Sequence, residues 1–320
     1  MHSDPAEDWT TPYPLPTFVL LLPFALFPPR VAQPLFAATE IAVVLAAVLA
    51  LSRAILAVPR RDAPLAVAFV AASQPLWVLI AGGNASGFAA SFFAFAVATL
   101  LSGGPVLAGV LLTGILLKPH LFLVGVPALV AASGAADRRR LLLAAGASAA
   151  VLLGVTFALE PGWVGEWLRE ARRLQDSSAS NATGWTIARP LLGDFRPVSA
   201  ALALVVVLAF AAWWIRVRPP LALGVAAAMP VSVLIAPHGW SYDYIALLPT
   251  LVVAVAFASA LPRRPVALVV LALFVVLVPW LLQVLAFQRN AEDLSAWWLV
   301  AVEIAILAAS SSARLREAFH

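Results

Sequence analysis

The chain has 320 residues, of which 63% are hydrophobic and 11% are charged, and its formal net charge is +4. This small number of charged residues cannot form the polar outer shell of a soluble globular protein. We therefore predict a membrane protein. The absence of cysteine excludes disulfides, thiolate metal sites and cysteine nucleophiles. The basic balance is better explained by arginines between membrane spans than by a surface for nucleic acid, and we expect no nucleic-acid partner.

Apolar segments of the length that an α-helix needs to cross a membrane recur along the chain, separated by proline, glycine and charge clusters. Strands of a transmembrane barrel would alternate in polarity, and these segments do not. The predicted segments are, in chain order, a short re-entrant or interfacial piece at Thr17–Phe27, then Gln33–Ala57, Pro64–Ala81, Ala85–Leu101, Pro105–Leu117, Leu121–Ala132, Leu141–Ala158, Ser199–Ile215, Leu221–Ala236, Tyr244–Leu261, Val266–Phe287 and Ser295–Ala309. We therefore predict an all-α polytopic domain over residues 1–320 with about 10–11 membrane helices.

The arginines predict how these helices are oriented, because positive charge in short loops stays on the cytoplasmic side. If each segment crosses once, the arginine clusters all fall on one side. They are Arg53 with Arg60 and Arg61, Arg138 to Arg140, Arg216 with Arg218, Arg263 with Arg264, and Arg314 with Arg316. The opposite, extracytoplasmic side then receives the unusual polar residues. A transporter would more often place its ionisable groups at mid-membrane, on interrupted helices. In this sequence the only acids well inside predicted spans are Glu40 and Glu303.

Lys118 is the only lysine of the chain, and it lies in the apolar stretch LLKPH. A lysine at a helix end can extend its side chain to water, so a purely structural role is one interpretation. Pro119 lacks an N–H and disrupts a continuing helix, and such a break is tolerated at membrane depth where it faces protein or a water-filled cavity. A cavity that contains Lys118, His120 and helix-end amides would suit a phosphate, which is the functional interpretation.

A second polar and aromatic cluster is the stretch APHGWSYDYIALLP, residues 236–249. Its proline, glycine and aspartate have sufficient structural explanations as a helix end, a tight turn and a helix N-terminus. Aromatic residues are also common at membrane interfaces. Together with a histidine and an acid, however, they resemble a surface for sugar rings and hydroxyls. The candidates in this cluster are His238, Trp240, Tyr242 and Asp243.

The long connection over residues 160–198 is predicted to be an extracytoplasmic loop. Its stretch WVGEWLREARRLQD has tryptophan, leucine and arginine at helical spacings. An amphipathic helix lying at the membrane interface fits this pattern, and so does a solvated loop helix with ordinary ion pairs. Further along, Asn181 and Arg189 are candidate site residues. The triplet that begins at Asn181 also matches a glycosylation sequon, but such triplets are frequent by chance.

The order of these features resembles the integral-membrane glycosyltransferases of the GT-C superfamily, most closely the polyprenol-phosphate-mannose-dependent mannosyltransferases of glycosyltransferase family 87. The matching pieces are YPLPTF from Tyr13 to Phe18, the turn at Gly83 and Asn84, LLKPH from Leu116 to His120, Asn181-Ala182-Thr183 with Arg189 downstream, and the stretch from Ala236 to Pro249. Their order and approximate spacing extend over most of the chain.

The resemblance implies transfer of a hexose from a polyprenyl-phosphate-linked donor to an acceptor hydroxyl on a lipid or glycan. In the family the hexose is mannose, and the transfer takes place at the extracytoplasmic face of the membrane. A carboxylate in the first extracytoplasmic loop would be the general base, which here implies Asp4 or Asp8. Lys118, His120 and Arg189 would bind the donor phosphate. The implied substrate-binding residues are Tyr13, Asn84, Asn181, His238, Trp240, Tyr242 and Asp243. Neither a metal nor another cofactor is implied.

Family members begin with a membrane helix that precedes the loop with the catalytic acid, whereas this sequence starts late in that loop. We therefore expect that the first family helix is missing. Two other hypotheses are a multi-span transporter and a non-catalytic relative that binds a lipid phosphate. The preference for arginine over lysine and the abundance of alanine suggest a GC-rich bacterial genome, and hence a bacterial plasma membrane.

Overall fold

The structure, a computed structural model, describes residues 13–55, 59–177, 181–193, 196–289 and 291–311. The regular elements within these ranges are all helical. The α-helices are α1 (Leu15–Ala25), α2 (Pro29–Ala54), α3 (Ala63–Ala72), α4 (Gln74–Ala81), α5 (Ser86–Leu101), α6 (Pro105–Leu112), α7 (Gly125–Ala132), α8 (Ala135–Leu159), α9 (Trp163–Ser177), α10 (Arg189–Leu192), α11 (Arg196–Val217), α12 (Leu221–Leu234), α13 (Leu248–Ala260), α14 (Arg264–Ala272), α15 (Val278–Arg289) and α16 (Leu294–Ser310). The candidate acids Asp4 and Asp8 lie outside the described residues.

The prediction of an all-helical polytopic membrane protein is confirmed. Five helices in the described ranges are long and apolar enough to cross a membrane. Three of them are α2, α8 and α11, and the other two are the continuous helix Ser241–Ala260, which includes α13, and the continuous helix Arg264–Arg289, which includes α14 and α15. The number is six if the pair α3 and α4, bent by 46°, forms one span. Five shorter apolar helices accompany them. The predicted number of about 10–11 membrane helices therefore includes segments that are too short to count as membrane-spanning by length alone. Helix α1 has 11 residues and is only about 16 Å long, too short to span.

Most helix boundaries follow the apolar pattern closely, and the differences have local causes. Helix α2 begins at Pro29 rather than at Gln33, because proline is well suited to the first helical turn. Helix α8 begins at Ala135 rather than at Leu141, because its arginine cluster continues the helix instead of breaking it. Helix α7 begins at Gly125, since the preceding residues Pro119–Phe122 form a 3₁₀ turn.

Helices α5 and α12 form the centre of the protein, where most of their residues are buried. By contrast, α8, α11 and α15 expose large apolar side chains such as Val151, Ile215 and Phe287 on the outside of the bundle. A helix that is apolar around its whole circumference and exposed on one side is typical of a protein that contacts lipid.

One end of the bundle carries charged loops that contact each other. The Arg264 guanidinium binds both carboxylate oxygens of Asp62, with Nε 3.2 Å from Oδ2. Asp62 is fully buried and directly follows Arg60 and Arg61. The loop before α3 and the start of α14 therefore lie at the same end, as the distribution of arginines predicted.

The opposite end contains a recess, because two helices that lead to it are short. Helix α6 continues into a 3₁₀ turn at Thr113–Leu117, and together they are about 22 Å long, whereas α7 is about 12 Å long. Both are shorter than the hydrocarbon layer of about 30 Å. The break between them, at Lys118, is therefore sunk below the end of the bundle, and Lys118 is only 7% exposed.

Candidate functional site

The turn between α4 and α5 places Asn84 at the edge of the recess. Gly83 adopts the left-handed conformation, with φ of 60°, which only glycine adopts without strain. The Asn84 N–H donates to the Leu79 carbonyl at 3.1 Å and the Gly83 N–H to the Ile80 carbonyl at 3.1 Å. This pair of hydrogen bonds ends α4 in a Schellman motif, so the predicted turn is present.

Side chains from three parts of the chain satisfy the first N–H groups of α5. The Ala85 N–H donates to the Tyr13 hydroxyl at 3.4 Å, and the Ser86 N–H to Asn84 Oδ1 at 3.0 Å. The Gly87 N–H donates to Glu40 Oε1 at 3.1 Å. These groups have no partner within the helix. The start of α5 therefore fixes Tyr13, Asn84 and the buried Glu40 around one point.

Asp243 is the buried centre of the site, and it is 1% exposed. It lies in the 3₁₀ turn Ser241–Leu247, where its Oδ2 accepts the Trp240 N–H at 3.1 Å, as an acid does in a capping box. Its Oδ1 accepts hydrogen bonds from the Ser86 hydroxyl and from Lys118 Nζ, the latter at 2.8 Å. The carboxylate is thus held by donors from three separate elements.

Lys118 forms a buried ion pair with Asp243 and is also flanked by two aromatic rings. Its Nζ lies 5.5 Å from the centre of the Tyr13 ring and 5.2 Å from that of Tyr242, within the range of cation–π attraction. Burial alone would lower the pKa of Lys118, but the carboxylate of Asp243 offsets this effect and holds the pKa above its ordinary value. Lys118 therefore carries its charge in the folded protein.

A cavity of about 520 Å³ opens beside this ion pair. Its size falls within the range of about 300–1,000 Å³ that is usual for small-molecule sites. Seven of the predicted site residues line it, namely Tyr13, Asn84, Lys118, His120, His238, Trp240 and Tyr242. Asp243 lies directly behind Lys118. The structure thus brings together residues from four distant parts of the sequence.

The two histidines of the cavity wall are neutral near pH 7. Burial, followed by the positive charge of Lys118, lowers the pKa of His120 to about 4. Burial also lowers the pKa of His238, whose Nδ1 has no hydrogen-bond partner among the described residues. The His238 ring packs edge-on against Trp240, with 5.6 Å between the ring centres. Neutral imidazoles can donate and accept hydrogen bonds, which suits sugar hydroxyls.

Because the pKa of His120 is lower in the folded chain than in the unfolded chain, the unfolded chain binds more protons between about pH 6.5 and pH 4. We therefore expect stability to fall as the pH is lowered from about 6.5 toward 4, and His120→Gln to reduce this fall. Thermal unfolding in detergent at pH 7.5 and pH 5 measures the effect. An equal loss of stability in the wild type and in His120→Gln would show that His120 is not the group responsible.

Two further predicted site residues, Asn181 and Arg189, do not line the cavity. Asn181 is 4% exposed, and its backbone carbonyl accepts the Thr186 hydroxyl. The next residue, Ala182, donates its N–H to the Gly239 carbonyl at 2.8 Å. Arg189 NH1 lies 3.9 Å from Oδ2 of the buried Asp293. The Ala182–Gly239 bond therefore attaches the long connection to the loop that carries His238, and the Arg189–Asp293 contact attaches it to the turn before α16.

Helix α9 supplies a wall of the cavity that the sequence interpretation did not assign to the site. Its side chains on this wall are Trp167, Leu168, Ala171 and Arg172. The helix is anchored by Trp163, which is 8% exposed and whose ring lies 5.7 Å from that of Phe157 at the end of α8. The spacing of Trp163, Trp167 and Ala171 at every fourth position is the signal that indicates one packed face. Ser86 was also missed, because a single serine in an apolar helix carries no signal.

The sequence model of glycosyltransferase family 87 matches residues 9–237, more than half of the chain. The predicted site residues within this range are Tyr13, Asn84, Lys118, His120, Asn181 and Arg189. Asp4, Asp8 and the cluster from His238 to Asp243 lie outside it. No curated protein and no solved structure matches the chain. A family match of this extent, on an all-helical protein with several membrane-spanning helices, shows that the chain is a membrane glycosyltransferase and belongs to glycosyltransferase family 87.

Proposed function

We propose that this glycosyltransferase transfers a hexose, with mannose as the first candidate, from a polyprenyl-phosphate donor to an acceptor hydroxyl on a lipid or glycan. The observation that carries the proposal is the Lys118–Asp243 ion pair, which is buried at the wall of a cavity lined by aromatic rings. A charged group at the end of apolar helices suits a ligand that has an anionic headgroup and an apolar tail.

The donor phosphate is proposed to bind at Lys118 and His120. Lys118 uses one N–H toward Asp243, so its other ammonium protons remain for phosphate oxygens. His120, neutral near pH 7, adds a donor without adding charge. Arg189, which lies near Asp293 and outside the cavity lining, is proposed to act indirectly, by holding the long connection in place.

The sugar is proposed to lie against the aromatic part of the wall. Tyr13, Trp240 and Tyr242 line the cavity together with Asn84 and His238. Aromatic faces and amide or imidazole groups are the partners that a hexose ring and its hydroxyls require. In this arrangement, Asp243 orients Lys118 and the loop at Trp240 instead of contacting the sugar, since it is almost fully buried.

The catalytic base is proposed to be Asp8 or Asp4. Asp243 is a poor base because its carboxylate already accepts three hydrogen bonds, one of them from the ammonium of Lys118. Among the described residues that line the cavity, none is a carboxylate. Tyr13 lines the cavity, and Asp8 precedes it by a stretch of chain that reaches at most about 18 Å when extended.

The proposed reaction is a displacement at the anomeric carbon. The acceptor oxygen forms a bond to this carbon while the bond from the carbon to the phosphate oxygen breaks. The acceptor proton passes to the carboxylate base, and the polyprenyl phosphate leaves with the electron pair of the broken bond. Lys118 stabilises the negative charge that develops on the leaving phosphate.

We place the active side on the extracytoplasmic face of a bacterial plasma membrane. The ion pair between Arg264 and Asp62 supports a shared end for two arginine-rich loops, which the positive-inside rule assigns to the cytoplasm. The cavity opens at the other end of the bundle, beside the amphipathic helix α9.

Transfer of label from radiolabelled polyprenyl-phosphate mannose to endogenous glycolipid, in membranes that contain the expressed chain, tests the proposal. We expect the wild type to transfer label and Lys118→Ala to transfer none. A variant with both Asp4→Asn and Asp8→Asn is expected to bind the donor but to transfer no label. Arg169→Ala, an exposed position on α9, serves as the control. Equal transfer by the wild type and Lys118→Ala would overturn the assignment of the phosphate partner.

A non-catalytic relative that only binds a lipid phosphate is the second candidate. It is favoured by the same finding that no described residue of the cavity lining is a carboxylate. The assay separates the two, because a non-catalytic chain retains the labelled donor without moving the label, whatever residues occupy positions 4 and 8.

A further inference from the structure

Some of the positive charge on the cavity wall is already paired with a carboxylate of the protein and is not available to a ligand. Among the described lining residues, Lys118 and Arg172 carry permanent positive charge. The charge of Lys118 is compensated by Asp243 at 2.8 Å, and the pair is buried. Neither histidine contributes charge near pH 7. Among the described lining residues, the positive charge that no described carboxylate compensates therefore lies on Arg172.

Arg172 is well placed for this role. It lies one helical turn after Leu168 on α9, and both side chains line the cavity. The helix itself is held by the contact of Trp163 with Phe157, and the ring of Trp163 also lies 6.3 Å from that of Trp167. An exposed arginine on an anchored amphipathic helix can pack its methylene groups against apolar neighbours while its guanidinium contacts a polar headgroup. A guanidinium can bind two phosphate oxygens at once.

We infer that Arg172 supplies the net positive charge that binds the phosphate of the lipid-linked donor, while Lys118, neutralised by Asp243, supplies directional hydrogen bonds. This inference rests on the proposed function, and it names a residue of α9 as part of the phosphate site. The division of roles has a chemical consequence. A lipid-linked sugar phosphate is a diester with a single negative charge, whereas the released lipid phosphate is a monoester with a charge of about −1.5 to −2 at pH 7.

Removing an uncompensated cation therefore weakens product binding more than donor binding. For Arg172→Ala we expect the dissociation constant of the donor to rise by about 10-fold or more. We expect that of polyprenyl phosphate to rise by a larger factor, and both effects to shrink at high salt. Arg172→Lys keeps the charge and is expected to recover part of the affinity. Loss of a merely structural contact would not change the ratio of the two constants.

The experiment is a binding titration of the full chain in detergent, with polyprenyl-phosphate mannose and polyprenyl phosphate as separate probes and inorganic phosphate as a third. Arg169→Ala, an exposed arginine on the same helix that does not line the cavity, is the matched control, and we expect it to bind like the wild type. Much weaker binding of inorganic phosphate would assign the site to a lipid-linked ligand.

Two results would contradict the inference, and they differ in what they say about the proposed function. If the wild type binds both lipid probes and Arg172→Ala binds them with the same dissociation constants, the role of Arg172 is overturned and the proposed function stays in place. Failure of the wild type to bind either lipid probe overturns the proposed function and the inference together.

Discussion

Lys118→Met is expected to destabilise the protein by about 3–5 kcal/mol, because it leaves the carboxylate of Asp243 buried without its counter-charge. Asp243→Asn is expected to cost less, since the ammonium of Lys118 can turn toward the adjacent cavity. The double variant Lys118→Met with Asp243→Asn removes both charges and is expected to recover most of the stability of the wild type. Thermal unfolding in detergent measures the three differences.

The same three variants separate the structural role of the pair from its functional role. If the pair only held the site together, the stable double variant would regain donor binding and transfer. We expect it to remain inactive, because methionine offers no N–H to a phosphate oxygen. Additive losses of stability, with the double variant less stable than either single variant, would contradict a direct interaction between the two side chains.

Gly87→Ala is expected to have the second large effect. A Cβ atom at this position would lie 2.7 Å from Glu40 Oε1 and 2.8 Å from Leu79 Cδ2, closer than such atoms can approach. The carboxylate of Glu40 must then move away from the start of α5. Overpacking of this kind costs about 1–3 kcal/mol. Because the neighbouring Ser86 donates to Asp243, we also expect lower transfer activity.

Gly146→Ala provides a matched control for this substitution. Gly146 lies within α8, and a Cβ atom there would meet nothing within 4 Å. Alanine in such an open helical position is expected to be neutral or to stabilise by up to about 1 kcal/mol. Thermal unfolding and the transfer assay are compared for both variants. Similar behaviour of the two alanines would show that the start of α5 tolerates a shift of Glu40.

Most of the helices could be predicted because each depends on local sequence alone. Apolar length and breaks at proline and glycine are properties of a short window, and a membrane helix satisfies its backbone hydrogen bonds within that window. Where the boundaries were wrong, as at the arginine-rich start of α8, a charge cluster was interpreted as a break although arginine favours helix.

The composition of the site was predictable in part. Lys118 and the stretch around His238 stand out as rare polar residues in an apolar chain, since ionisable groups are seldom retained in a membrane without a role. Arg172 did not stand out, because it is one arginine among several in an amphipathic stretch and its spacing fits a solvated helix equally well.

By itself, the sequence determined that this protein is a helical membrane protein, where most of its helices lie, and which rare polar residues could form a site. The tertiary structure decided that Lys118 pairs with Asp243, that Glu40 and Asn84 hold the start of α5, and that α9 closes the cavity. The physical reason is distance along the chain. Helix formation depends on neighbours within a few residues, whereas Lys118 and Asp243 are 125 positions apart and meet only when the bundle packs.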